Sequence, residues 1–263
     1  MDTYQLWNEK APGAETEVPI LEAYIPAERK TRAAFLIFPG GAYTGRAPHE
    51  GVGYAEFLNA LGISAFVVGY RVYPATFPDP LLDARRAVRY LRANAEKFDI
   101  DPDRIAVIGS SAGGHLAAFL STYKGALDGE GVDEVDAFGY LPNLQVLCYP
   151  VISSDEAVSH AYSYRKLLGD LYDKRAAYSP ELLVDGTTPP AFIWHTAEDA
   201  VVSVENSYRY ATALKKNNIP CEMHIFPFGA HGRGVGKDDP HIAQWVGLLK
   251  SYLILYGYLP SEG

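Results

Sequence analysis

The chain has 263 residues, 48% of them hydrophobic and 21% charged, which is ample for a large core and is not the composition of a disordered segment. A formal net charge of −9 argues against nucleic acid or an anionic membrane surface as partner. Its two cysteines, Cys148 and Cys221, sit in apolar strand-like runs and read as buried free thiols, the pattern of a reducing, cytoplasmic compartment rather than a disulfide scaffold.

At the N-terminus no basic stretch precedes an apolar one, so no signal peptide is expected, and no apolar run is long enough to span a bilayer. This opening segment is short and polar, with little material for a lid. From there, short apolar runs alternate with amphipathic stretches. Strands are predicted at 33–38, 64–70, 104–109, 144–149, 191–195 and 221–226, mostly as continuous apolar runs of the kind buried parallel strands show. Helices are predicted at about 50–61, 81–98, 112–123, 203–217 and 240–256. Turn residues support the boundaries, with Asp101-Pro102-Asp103 before one strand and Asn217-Asn218-Ile219-Pro220 before another. The alternation implies a single α/β domain, a mostly parallel sheet with helices on both faces. Arg85, Arg86, Arg89 and Arg92 fall on the polar side of the second helix and read as its solvated face. Two stretches lack a clear period: 125–139, which is polar, and 152–189, which is long enough to hold short helices beside an active site.

The sharpest motif is Gly109-Ser110-Ser111-Ala112-Gly113-Gly114-His115. It carries G-x-S-x-G directly after an apolar strand and directly before an alanine-rich helix. That context suits a nucleophile: a serine on a tight strand-to-helix turn is lifted above the sheet, and small neighbours let the turn close. Ser111 is the candidate nucleophile, and Ala112 at the helix start can offer its N–H to an oxyanion. Ser110 lacks the glycine two residues before it and reads as a turn hydroxyl. A second oxyanion donor is expected from Gly41 or Ala42, where the strand 33–38 empties into a glycine turn.

On an α/β-hydrolase fold the acid and then the histidine follow the nucleophile along the chain. Of the downstream histidines, His224 lies within a strand and His195 ends one, where backbone hydrogen bonding is expected. His160 lies in the irregular stretch, and His241 opens the last helix. His231, in Gly229-Ala230-His231-Gly232 after the final strand, is placed as a general base must be, on a loop that can reach over the nucleophile. Asp199, in the turn after strand 191–195, is the candidate acid that fixes the imidazole tautomer; Glu198 is the alternative.

These segments together, Pro39-Gly40-Gly41-Ala42-Tyr43, Tyr70-Arg71, Asp101-Pro102-Asp103-Arg104-Ile105, 109–115, 194–199 and Ala230-His231-Gly232, resemble the acetyl-esterase and acetyl-xylan-esterase-like branch of the α/β-hydrolases, related to the hormone-sensitive-lipase-like esterases. The likeness runs from about residue 20 onward. It departs in the hole loop, where the family often has His-Gly-Gly-Gly: Pro39 stands for the histidine and Ala42 for the third glycine, so a positive φ there would strain the alanine. The resemblance implies that Gly41, Ala42 and Ala112 form the oxyanion hole. It also implies an acyl-enzyme route with no cofactor and no metal.

The expected function is hydrolysis of short-chain esters, acetylated sugars among them, with Tyr43, Arg46, His49, Glu50 and Tyr70 as candidate contacts for a polar alcohol moiety. Amide cleavage by the same residues is a second enzymatic reading. A catalytically inactive hydrolase fold that only binds is a third, which three filled positions argue against. The sequence does not define the oligomeric state.

Overall fold

The computed structural model describes residues 2–7, 10–14 and 16–261; Met1, Asn8, Glu9 and Glu15 of the N-terminal segment lie outside the described residues. Eight strands form one sheet: β1 (Asp2–Gln5), β2 (Ile20–Tyr24), β3 (Ala34–Phe38), β4 (Ser64–Gly69), β5 (Ile105–Ser110), β6 (Leu144–Cys148), β7 (Ala191–Thr196) and β8 (Cys221–Phe226). The order is β1-β2-β4-β3-β5-β6-β7-β8. All neighbours from β4 to β8 are parallel, whereas β1 and β2 are antiparallel additions at one edge. The sequence predicts no strand in that short, polar N-terminal segment. Its strand signal is weak because β1 is mostly exposed and only alternate residues of β2 are buried.

The helices are α1 (Pro48–Ala60), α2 (Asp79–Ala93), α3 (Ala95–Phe98), α4 (Ser111–Thr122), α5 (Ala161–Leu168), α6 (Pro180–Leu183), α7 (Glu205–Lys216) and α8 (Gln244–Leu255). The helix expected over 81–98 is two, parted at Asn94, whose φ of −110° and ψ of 24° leave the helical region. The stretch 152–189 does carry short helices: α5, α6 and a 3₁₀ segment at Gly169–Tyr178. Among the described residues no helix is long and apolar enough to cross a membrane.

Central strands are apolar on both faces because both faces are covered. Along β3, Ala34, Leu36 and Phe38 point into one buried cluster, with residues of α2 and α4. Phe35 and Ile37 point into another, with residues of α1 and α8. This is the two-residue alternation of a pleated strand. From β3 the chain crosses to β4 on one side and later returns to β5 on the other. The gap between β3 and β5 is therefore a topological switch point, where α/β sheets bind ligands at the strand carboxyl ends. Phe38 is in register with Gly109, so the loops leaving β3 and β5 emerge at the same level.

The arginines of α2 are not a solvated face. Arg85 and Arg86 are buried, covered by the polar stretch 125–139. Arg85 pairs with Glu130 at 2.9 Å, Arg86 with Asp136 at 3.1 Å and with Asp133, and Arg89 with Glu130 at 2.9 Å. Arg92 donates to the carbonyls of Gly139 and Leu141. Helical periodicity finds the polar stripe but cannot show that a distant acidic loop lies over it. Both cysteines are free, Cys148 buried and Cys221 only partly so, and burial pushes each thiol up to about 12.

Candidate active site

The elbow is forced by close backbone approach. A Cβ on Gly109 would lie 2.2 Å from the Gly113 carbonyl oxygen, and one on Gly113 would lie 2.0 Å from that of Phe38, so only glycine fits either position. Between them Ser111 takes φ 54°, a left-handed conformation costing a non-glycine residue on the order of 1 kcal/mol. Its neighbour Ser110 is fully buried, its Oγ 2.6 Å from the Tyr54 hydroxyl.

Ser111 Oγ donates to His231 Nε2 at 2.9 Å, and His231 Nδ1 donates to Asp199 Oδ2 at 2.6 Å. The donor directions follow from the groups: a carboxylate only accepts, so Nδ1 carries the proton and Nε2 is free to accept one. Three strand ends, those of β5, β7 and β8, thus converge on one hydrogen-bonded chain. Glu198, the alternative acid, instead accepts from the backbone N–H of Gly229 at 3.2 Å.

Asp199 is buried and fully engaged. Its Oδ1 accepts from the N–H groups of Val201 and Val202, each at 2.9 Å. Burial alone would raise its pKa, but the hydrogen bonds from His195, His231 and the Val202 N–H outweigh it and hold the carboxyl well below the usual range. His195 is the residue the sequence reading undervalued. Buried completely, it directs Nε2 at the Val202 carbonyl (3.0 Å) and at Asp199 Oδ2 (3.3 Å), while Ser207 Oγ meets Nδ1 at 2.8 Å. Its place four residues before Asp199 at a strand end was the available signal. Two further neighbours went unnoticed. The Tyr149 ring meets the His231 ring edge-on at 5.0 Å. His160 has its pKa lowered by burial and by the nearby His231.

The hole loop is wound tightly, with φ 142° at Gly41, 54° at Ala42 and 59° at Tyr43. Ala42 therefore does occupy a conformation that disfavours alanine. The N–H groups of Gly41, Ala42 and Ala112 donate to no protein group among the described residues.

The candidate alcohol contacts divide. Tyr43, Tyr70 and Glu50 are buried, so they brace the loop rather than face a ligand. Tyr43 OH donates to His115 Nδ1 at 2.8 Å, and Tyr70 OH to the Pro39 carbonyl at 2.6 Å. Glu50 accepts from the Gly40 N–H at 2.7 Å and from Tyr149 OH at 2.8 Å. Tyr149 OH in turn accepts from the Gly234 N–H at 2.9 Å, so one carboxylate connects the hole loop to the loop of His231. Arg46 forms a two-pronged pair with Glu17 at 2.7 and 2.9 Å. Only His49 is exposed, its Nε2 2.9 Å from the Gly232 carbonyl.

The family model BD-FAE matches residues 21–214. The chain is 37% identical to endo-1,4-beta-xylanase B of Butyrivibrio fibrisolvens over 92% of its own length and 39% of that protein's. It is 33% identical to the acetylxylan esterase of Xylanibacter ruminicola over 80% of its own length and 42% of that protein's. It thus spans about two fifths of these curated relatives. Among solved structures, the acetyl ester-xyloside bifunctional hydrolase of Caldicellulosiruptor lactoaceticus superposes with a TM-score of 0.91 at 41% identity, covering 98% of this chain and 97% of that one. These likenesses agree with the resemblance carried by the sequence motifs, and the fold is that of an α/β-hydrolase.

Proposed function

Since the chain belongs to the BD-FAE family, we propose that it is a serine carboxylesterase that removes short acyl groups, acetyl above all, from hydroxyls of carbohydrates. The observation that carries this reading is the continuous chain Ser111–His231–Asp199, at 2.9 and 2.6 Å, set beside three uncommitted backbone N–H groups. The names of two similar proteins, an acetylxylan esterase and an acetyl ester-xyloside hydrolase, support the choice of substrate.

In this mechanism Ser111 Oγ attacks the ester carbonyl carbon while His231 Nε2 takes its proton. The carbonyl oxygen becomes an oxyanion held by the N–H groups of Gly41, Ala42 and Ala112; one such donor is worth roughly 10²–10³ in rate. Asp199 offsets the positive charge on the imidazolium. The tetrahedral intermediate collapses as His231 passes the proton to the leaving alkoxide oxygen, leaving Ser111 acylated. A water molecule, deprotonated by the same imidazole, then attacks the acyl carbon; acid and free serine result. A buried, strongly ionised Asp199 suits this sequence, because it remains an anion through the whole cycle.

A substrate panel tests the proposal: kcat/KM on aryl acetate, butyrate and octanoate, on acetylated xylo-oligosaccharides and on matching amides, with and without EDTA. Acetyl esters are expected to be preferred and EDTA to have no effect, since the serine route needs no Lewis acid. An octanoyl optimum, an amide preference, or EDTA loss restored by a divalent metal each sinks the corresponding part.

A further inference from the structure

An open cleft of about 510 Å³ lies between the first turns of α1 and the loop that carries His231, within the roughly 300–1,000 Å³ range of small-molecule sites. Residues at helical spacing on one face of α1, His49, Val52 and Glu56, form one wall, and Arg233, Val235 and Asp238 the other. The cleft starts at the residue after His231, where the Gly232 carbonyl accepts a hydrogen bond from His49 Nε2 at 2.9 Å. In the proposed reaction the leaving alcohol takes its proton from His231 Nε2, and this cleft borders the loop that carries that imidazole.

The lining has a definite chemistry. Arg233 is half-buried, yet among the described residues its guanidinium has no hydrogen-bonding or ionic partner, nor has the Asp238 carboxylate. Its planar fork of five N–H donors, on the cleft wall and uncommitted to protein groups, can serve a ligand's acceptors. Charges in the cleft balance, Arg233 and Lys237 against Glu56 and Asp238, so an anion gains no net attraction. A neutral polyol fits better. Each sugar hydroxyl both donates and accepts, which suits a lining that carries both a guanidinium and carboxylates, and the C–H face of a sugar ring can lie on Val52 and Val235.

We infer that this cleft is a saccharide subsite, holding sugar residues of the alcohol moiety beyond the one that carries the acyl group, with Arg233 as its principal hydrogen-bond donor. The inference rests on the carbohydrate-esterase reading and extends it from an acetylated sugar to an acetylated oligosaccharide.

Two variants test it. Arg233→Met removes the donors. Gly53→Leu fills the cleft from α1, where a Cβ would meet nothing within 4 Å and leucine favours the helix. The readout is the ratio of kcat/KM for acetylated xylotriose to that for 4-nitrophenyl acetate, together with the inhibition constant of unacetylated xylotriose. In both variants the ratio is expected to fall roughly tenfold, through KM, and the inhibition constant to rise by a similar factor, the size of one hydrogen bond to a charged group. An unchanged ratio and inhibition constant in both variants overturns the subsite, and so does equal loss on the two esters, which would make Arg233 a support of the His231 loop. Wild-type turnover of acetylated xylose with no gain from added sugar residues also overturns the subsite while leaving the esterase reading intact. Cleavage of the aryl acetate with no turnover of any acetylated saccharide overturns the carbohydrate reading itself.

Discussion

His195 Nε2 stands 3.3 Å from Asp199 Oδ2, the same oxygen that accepts from His231 at 2.6 Å. Two imidazoles therefore share one carboxylate oxygen, one from the strand end and one from the loop above the serine. The Val202 carbonyl at 3.0 Å also faces His195 Nε2, and with acceptors on that side Nε2 must carry a proton. Ser207 can then donate to Nδ1. His195 thereby holds Asp199 without competing for the role of base proposed for His231.

Replacing His195 with alanine is expected to lower kcat/KM by about tenfold to a hundredfold, whereas Asp199→Asn costs roughly 10⁴, as when a triad imidazole is held in the wrong tautomer. Without the His195 donor, Asp199 keeps more of its charge for a proton shared with His231. The acid limb of kcat/KM, set by that coupled pair, should move to higher pH in His195→Ala, and His195→Gln should restore part of the shift through its amide donor. An activity loss with an unmoved pH profile would reduce His195 to a packing residue. Glu198→Gln, by contrast, is expected to be mild.

For the proposed nucleophile, Ser111→Ala is expected to remain folded and lose on the order of 10⁴–10⁶ in kcat. Ser110→Ala should keep most activity, because its Oγ already meets the Tyr54 hydroxyl. Mass spectrometry after a fluorophosphonate probe should place the label on Ser111, and a label on Ser110 would refute the assignment.

Stability should depend on pH through His115. Burial lowers its folded pKa from 6.5 to about 4, against a smaller opposing contribution from the Tyr178 carbonyl. A histidine with a depressed folded pKa stays neutral in the native state while the unfolded chain takes up a proton. Its contribution is therefore fully present above pH 6.5 and declines as pH falls toward about 4. Urea midpoints for wild type and His115→Gln across this window check the sign: the wild type should lose stability faster. Parallel curves would show that other groups set the acid limit.

The buried ion cluster over α2 gives a stability prediction remote from the serine. Arg86→Met leaves Asp136, itself almost wholly buried, and Asp133 without their shared guanidinium. Breaking a buried pair by removing one partner costs about 3–5 kcal/mol, to be read from the denaturation midpoint. The protein that remains folded should hydrolyse 4-nitrophenyl acetate with an unchanged kcat.

Local sequence determined much of this protein, because its strongest signals are short-range. Apolar runs specify the six parallel strands, and the close approach of Gly109 and Gly113 can be read from a strand-to-helix serine turn with no knowledge of the rest. The fold's conserved chain order then directed attention to Asp199 and His231, each on a loop after its strand. What tertiary structure alone decided concerns groups far apart in sequence. The α2 arginines looked solvated until residues 125–139 covered them, and Tyr43, Tyr70 and Glu50 looked available until their hydroxyls and carboxylate proved committed to the loops. The edge strands β1 and β2 have little burial to pattern them, and Arg233 gave no sign in the sequence of facing a cleft. Periodicity reports which residues share a face; it cannot report what that face meets, because burial and pairing depend on segments that only folding brings together.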